Sequence, residues 1–170
     1  MRESIVKKVF ILLSMICFSC AEQKSTTVEI YGVSFNCPSG WKVTETEDYG
    51  PAKYISIEKK GSNSSGIVTM CFTEEDYELD EYLHIFQESY LEQEILNKLT
   101  FQKAKEAHYG EHKGIVSTYT FETMSIKHEG QMYVFQKNGI TMCLVHQEAL
   151  EDHKVNLYGF EIIEESFTFN

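Results

Sequence analysis

The chain has 170 residues, with 15 Lys and Arg against 26 Asp and Glu, for a formal net charge of −11. An acidic chain is repelled by nucleic acid and by anionic lipid headgroups, so neither is expected as a direct partner, while basic partners and metal cations stay compatible. Hydrophobic residues make up 42% of the sequence, which suits one domain with a sizeable core, and no second domain is visible.

Arg2, Lys7 and Lys8 form a positive leader to the apolar run Val9 to Phe18. A run of that length is a signal-peptide core, too short to span a bilayer comfortably. It ends in Ser19, Cys20 and Ala21. Cleavage before Cys20 resembles a bacterial lipobox, with Ser19 as the small residue before the cysteine. Phe18 and Cys17 depart from the usual pattern. Cleavage after Ala21 is the rival and would release a soluble secreted protein. The expected organisation is a lipoprotein signal peptide over 1–19, a lipidated Cys20 with a short tether over 20–27, and one domain over 28–170. More than one acyl chain on Cys20 anchors stably, since each buried methylene contributes about 0.8 kcal/mol. Removing residues 1–19, with three basic residues and Glu3, leaves 12 basic and 25 acidic residues, a formal charge of −13.

Thr27 to Val33 and Val33 to Cys37 read as short strands broken at Gly32, and Cys37-Pro38-Ser39-Gly40 as a turn. Trp41 and Val43 resume an extended pattern, with Trp41 expected to pack in the core or at its rim. Tyr54, Ile55 and Ile57 make the next strand. Gly61 to Gly66 is a hairpin tip, lacking the Lys-Ser/Thr of a phosphate-binding loop. Ile67 to Thr73 returns as an apolar strand.

From Leu79 to Leu99 the period changes to that of a helix. Leu79, Tyr82, Leu83, Phe86, Tyr90 and Ile95 share its inner face. The acidic run from Glu74 to Glu81 favours the positive end of the helix dipole. Phe101 to Tyr109 and Gly114 to Met124 are expected strands around Gly110. His128-Glu129-Gly130 and Lys137-Asn138-Gly139 are expected hairpin turns. Leu150 to Ser166 reads as a second helix, with Val155, Tyr158, Ile162 and Ile163 inward and Gly159 as a weak point. Gly66 to Cys71 echoes Gly139 to Cys143, and each run leads into an acidic helix.

The opening phrase Val33-Ser34-Phe35-Asn36-Cys37-Pro38-Ser39-Gly40-Trp41 resembles that of the Mog1/PsbP-like superfamily, and Phe160 to Phe167 resembles its closing helix with terminal Ser-Phe. The resemblance runs from about Val28 to Asn170 and points to the bacterial lipoprotein branch. It implies an α+β fold, an α/β/α sandwich with a central antiparallel sheet flanked by helices. Its members are mostly binding or assembly factors. They include a photosystem II extrinsic subunit, a Ran-binding protein, secretion-effector chaperones and small bacterial lipoproteins. It carries no shared catalytic motif.

The chemistry-bearing residues yield no motif. Cys37, Cys71 and Cys143 show no CxxC and no histidine at ligand spacing. His108 and His112 lie four apart without the Glu of a metalloprotease helix. His146 and His153 flank a turn containing Glu148, Glu151 and Asp152; they could bind a metal, but the expected reading is a solvated charged turn. The Glu74 to Glu81 cluster lacks calcium-loop spacing. The expectation is therefore no catalytic, cofactor-binding or tight transition-metal residue, with Cys20 as the lipidation site. The function expected is a non-catalytic protein-binding or assembly module of the cell envelope, held to the membrane by lipid, with no nucleic-acid partner. The alternatives are an envelope hydrolase whose site is assembled from dispersed residues, and an immunity-type protein binding a basic toxin.

Overall fold

The computed structural model describes residues 25–61 and 65–169. The leader, Cys20 and the centre of the Gly61 to Gly66 tip lie outside the described residues. β1 (Thr26–Ile30) and β2 (Val33–Cys37) form a hairpin, joined by a two-residue turn. Tyr31 and Gly32 both carry positive φ there, 51° and 82°, as a type I′ turn requires. β1 thus begins at Thr26, inside the stretch expected to be tether.

β3 (Trp41–Asp48) follows a turn closed by the Trp41 amide on the Pro38 carbonyl at 3.0 Å. β4 (Ala52–Lys59) and β5 (Ile67–Thr73) extend it. After helix α1 (Leu79–Leu91) come β6 (Asn97–Phe101), β7 (Lys105–Tyr109), β8 (His112–Thr123), β9 (Ile126–Lys137) and β10 (Ile140–Ala149). A single 3₁₀ turn (Leu150–Asp152) leads into α2 (His153–Ser166), and β11 (Thr168–Phe169) ends the described chain.

The large sheet has eight strands, in the order β3-β4-β5-β10-β9-β8-β6 with β7 also on β8, and every pairing is antiparallel. The small sheet is β1-β2-β11. One face of the large sheet packs against the small sheet and α2, through Phe35, Trp41, Ile57, Met70, Leu144, Phe160 and Ile163. The other packs against α1, through Tyr82, Leu83, Tyr119, Met132, Val134 and Val145. The α/β/α sandwich expected from the sequence is the one observed. The two echoing runs are the neighbouring central strands β5 and β10, with Cys71 directly opposite Cys143. Each feeds a helix, and the helices cover opposite faces. All three cysteines among the described residues are free thiols.

Several expected boundaries move. The first helix ends at Leu91, not Leu99, and Ile95 is exposed rather than inward. The chain leaves the helix so that Leu99 and Phe101 can pack at the sheet edge. His128-Glu129-Gly130 is not a turn but lies inside β9. The hairpin turns instead at Met124 and Ser125, both at positive φ, 50° and 66°. Gly130 sits opposite Tyr119, and a Cβ there would come within 2.3 Å of the Tyr119 ring. The glycine serves close approach of an aromatic, not a bend. Asn138-Gly139 does turn the β9–β10 hairpin.

The second helix is the larger correction. Val155 and Tyr158 are about half exposed, while Asn156, Gly159, Phe160 and Ile163 are buried. Gly159 explains the rotation. Its backbone lies close against the Trp41 indole, where a Cβ would fall 2.4 Å from the ring. The helix turns its smallest residue inward so that it can sit close on the buried tryptophan.

Candidate functional site: an acidic cavity where the second helix begins

The site grows out of the β9–β10 register. On the α2 face, successive facing pairs are Phe135 with Met142, Tyr133 with Leu144, Gln131 with His146, and Glu129 with Glu148. The face therefore changes from core to polar along the hairpin, away from its turn. It ends at two glutamates placed directly opposite each other. The chain then makes its 3₁₀ turn, which delivers His153, the first residue of α2, over the pair. Ser65 holds this turn in place: its Oγ accepts the Ala149 amide at 2.6 Å and donates to Asp152 Oδ2 at 2.9 Å.

His153 Nδ1 lies 2.7 Å from Glu148 Oε1 and 3.3 Å from Glu129 Oε1. The hydrogen bond to Glu148, with the charges of Glu148 and Glu129, pushes the imidazole pKa up. His153 thus sits between two carboxylates. Glu148 is 5% exposed, and among the described residues its second oxygen, Oε2, has no hydrogen-bond partner. Buried polar atoms are nearly always partnered, so such an atom needs a reason.

These residues open onto a cavity of about 360 Å³, lined also by Leu157, Phe160, Glu161 and Glu164 of α2. Among the described residues, four glutamates and two histidines line it, with no Lys or Arg. Burial pushes the Glu164 carboxyl up from its ordinary value. His146 forms part of the floor. It stacks on Phe160 at 4.7 Å, and its Nε2 lies 3.0 Å from the Tyr109 hydroxyl. Burial lowers its pKa to about 3, so it stays neutral at any physiological pH.

His146 and His153 therefore share a cavity but do not act as a pair. Among the described residues, the group whose ligand atoms all lie within 4.8 Å of one another is Glu129, Glu148 and His153. His108 and His112 are not brought together. His112 pairs with Tyr109 across the β7–β8 hairpin and stacks on Phe135 at 4.7 Å, whereas His108 faces the opposite side, next to Lys113. Of the acidic run, Asp80 and Glu81 occupy the first turn of α1 and form no cation group. Glu129 escaped the sequence reading because His-Glu-Gly imitates a turn. The alternation Glu129, Gln131, Tyr133, Phe135 was the signal that places it on a strand face.

No protein-family model matches the chain, and no curated protein matches it by sequence. Solved structures do match. Cyanobacterial PsbP (CyanoP) from Synechocystis sp. PCC 6803 superposes with a TM-score of 0.61 at 10% identity, over 91% of this chain and 97% of that one. The chain has the PsbP-like fold. LpqN of Mycobacterium tuberculosis, described as involved in cell envelope biogenesis, matches with a TM-score of 0.55 at 12% identity, over 86% of this chain and 91% of its own. At these identities the likeness extends to the PsbP-like architecture and not to individual residues. Glu129, Glu148 and His153 are therefore read from this chain alone.

Proposed function

We propose that this PsbP-like chain is a lipid-anchored, non-catalytic binding module of the cell envelope, and that its acidic cavity accepts a positively charged group. The observation that carries the reading is the lining itself. Glu129, Glu148, Glu161 and Glu164 converge on one cavity that, among the described residues, holds no Lys or Arg. A concave site of one charge sign concentrates ligands of the other. The formal charge of −13 after removal of the leader points the same way. Envelope placement is supported by the signal-like leader ending at Cys20 and by the description of LpqN.

A hydrolase is the second reading, favoured by carboxylates and histidines converging on a cavity. Nucleophilic catalysis needs a base within hydrogen-bond reach of a hydroxyl or thiol. Here His153 is engaged by two glutamates, and His146 by the Tyr109 phenol. Among the described residues neither is hydrogen-bonded to a serine, threonine or cysteine, so the binding reading leads. An immunity-type role is a special case of it, with a basic toxin as ligand.

The test is a comparative capture from the protein's own membranes. Wild type and a variant carrying Glu129→Gln, Glu161→Gln and Glu164→Gln are tethered side by side. A basic partner retained by the wild type and released by the variant is expected. Identical retention by both would remove the cavity from the function. For the anchor, metabolic labelling with a fatty acid should mark the wild type and not Cys20→Ser. Equal labelling would sink the lipid anchor.

A further inference from the structure

We propose that Glu129, Glu148 and His153 form a binding site for a divalent transition metal of the Zn²⁺ type. The proposal rests on the cation-accepting reading of the cavity and names the cation.

The first observation is a buried acceptor without a donor. Glu148 is 5% exposed; Oε1 accepts the His153 Nδ1–H, and among the described residues Oε2 has no partner. The carboxylate belongs to the cluster with part of its accepting capacity unused. The second observation is the register. Glu129 and Glu148 are direct cross-strand neighbours, and like charges so placed destabilise a sheet unless something positive lies between them. A metal ion supplies that positive charge, because it bonds both carboxylates and the imidazole at once. The third observation is spacing. The three ligand atoms lie within 4.8 Å of one another. Ligands about 2.0–2.2 Å from a tetrahedral Zn²⁺ lie a little over 3 Å apart, so small side-chain rotations close the site.

Donor chemistry selects the metal. One imidazole and two carboxylates are three protein ligands, which leaves the fourth zinc position to water from the cavity; that open set is the pattern of catalytic zinc, so uptake keeps the cation-accepting cavity but moves the hydrolase reading ahead of the non-catalytic one. Ca²⁺ and Mg²⁺ want six or more oxygens and gain little from an imidazole nitrogen. On binding, the His153 ring proton leaves to solvent and the metal takes its place on nitrogen, so uptake releases a proton. The metal would tie the first residue of α2 to the β9–β10 pair. Because the unfolded chain has no such preformed site, binding stabilises the fold.

The experiment uses the protein without an affinity tag, titrated with ZnCl₂ alone in a calorimeter and followed by thermal melting. One equivalent should bind and raise the melting temperature. Glu129 is 38% exposed in its side chain, so Glu129→Gln should fold normally. Glu148→Gln keeps an acceptor for His153 while removing the charge. Each should weaken Zn²⁺ by at least the roughly 10–100-fold that losing even an outer partner of a metal ligand costs. No uptake by the wild type overturns the proposal. So does uptake that both variants retain, which would mark adventitious binding at surface histidines. A cationic arginine peptide, titrated in parallel, separates the two readings. If the peptide binds and Zn²⁺ does not, the metal is wrong and the cation-accepting cavity stands; if neither binds, both are wrong.

Discussion

The two helices cover opposite faces of one sheet, yet they are built by different rules. α1 is a simple amphipathic helix. Its inner face is Leu79, Tyr82, Leu83, Phe86 and Tyr90, packed on Tyr119, Met132, Val134 and Cys143. α2 buries Asn156, Gly159, Phe160 and Ile163 and leaves Val155, Leu157 and Tyr158 about half exposed. Hydrophobic periodicity locates a helix that packs through large side chains. It misplaces one that packs by bringing its backbone close to an aromatic. The difference also bears on the site, because the rotation that sets Gly159 on Trp41 places Leu157, Phe160, Glu161 and Glu164 around the cavity.

The comparison can be tested first where it should be strongest. Leu83 is 3% exposed at the centre of the α1 face. Leu83→Ala should destabilise by about 2–5 kcal/mol in denaturant melts, the ordinary cost of emptying a core leucine. A loss within the range of surface substitutions would mean that α1 does not hold its face of the sheet.

Next comes the close approach on the other face. For an unpacked helix position, Gly→Ala stabilises by about 1 kcal/mol. At Gly159 the new Cβ would lie 2.4 Å from the Trp41 ring, with both residues buried. Gly159→Ala should therefore destabilise, by about 2 kcal/mol net once overpacking is set against propensity. The sign is the informative part. Paired with Trp41→Leu, which opens the space, the same change should become neutral or stabilising. Additivity of the two substitutions would show that the contact is not what orients α2.

Most of the strands, α1 and its phase, and the Asn138-Gly139 turn were legible in the sequence, because they depend on local pattern; the sandwich was legible only through the family resemblance. The site was less legible. Glu129 and Glu148 meet through strand register, and His153 reaches them only because a 3₁₀ turn, pinned by Ser65, precedes the helix. None of that has a local signature. His128-Glu129-Gly130 even carries a misleading one, since Gly130 is there for the Tyr119 ring rather than for a bend.

Phe86 sharpens the picture of α1. It shares the inner face but is only partly buried, and it packs edge-on to Tyr82 with ring centroids 5.1 Å apart. Full burial would put Phe86→Ala at about 3–5 kcal/mol; partial burial reduces the expectation to about 1–2 kcal/mol. A full-sized loss would place Phe86 deeper in the core than its neighbours allow.

On the α2 face, a titrating group offers a gentler probe. His112 stacks on Phe135 at 4.7 Å and lies edge-on to Phe167, just beyond α2. Burial lowers its pKa, Lys137 lowers it further, and Glu111 opposes them. The folded state thus takes up the proton less readily than the unfolded chain. Stability from this group is intact above the ordinary histidine value of about 6.5 and is lost as pH falls through it toward the depressed folded value. His112→Phe keeps the stacking and removes the proton, so its melts should fall less steeply over that interval. Identical pH profiles would show that His112 does not contribute.

The smallest expected effect is the one that most directly separates the two readings of α2. The apolar spacing places Val155 inward with Ile162 and Ile163; the structure leaves it 55% exposed. A buried valine cut to alanine loses two methyl groups from the core, about 0.8 kcal/mol for each in transfer alone, with a cavity term added. An exposed one changes stability by no more than about 0.5 kcal/mol, and alanine's better helix propensity offsets part even of that. Val155→Ala should therefore be close to silent in denaturant melts. Its carbonyl oxygen, which accepts the Lys59 ammonium at 2.5 Å, is untouched by the change. A loss near 2 kcal/mol would rotate α2 back to the phase that its apolar residues suggest. Because the same rotation would carry Glu161 and Glu164 away from Glu129, Glu148 and His153, it would dismantle the acidic cavity as well.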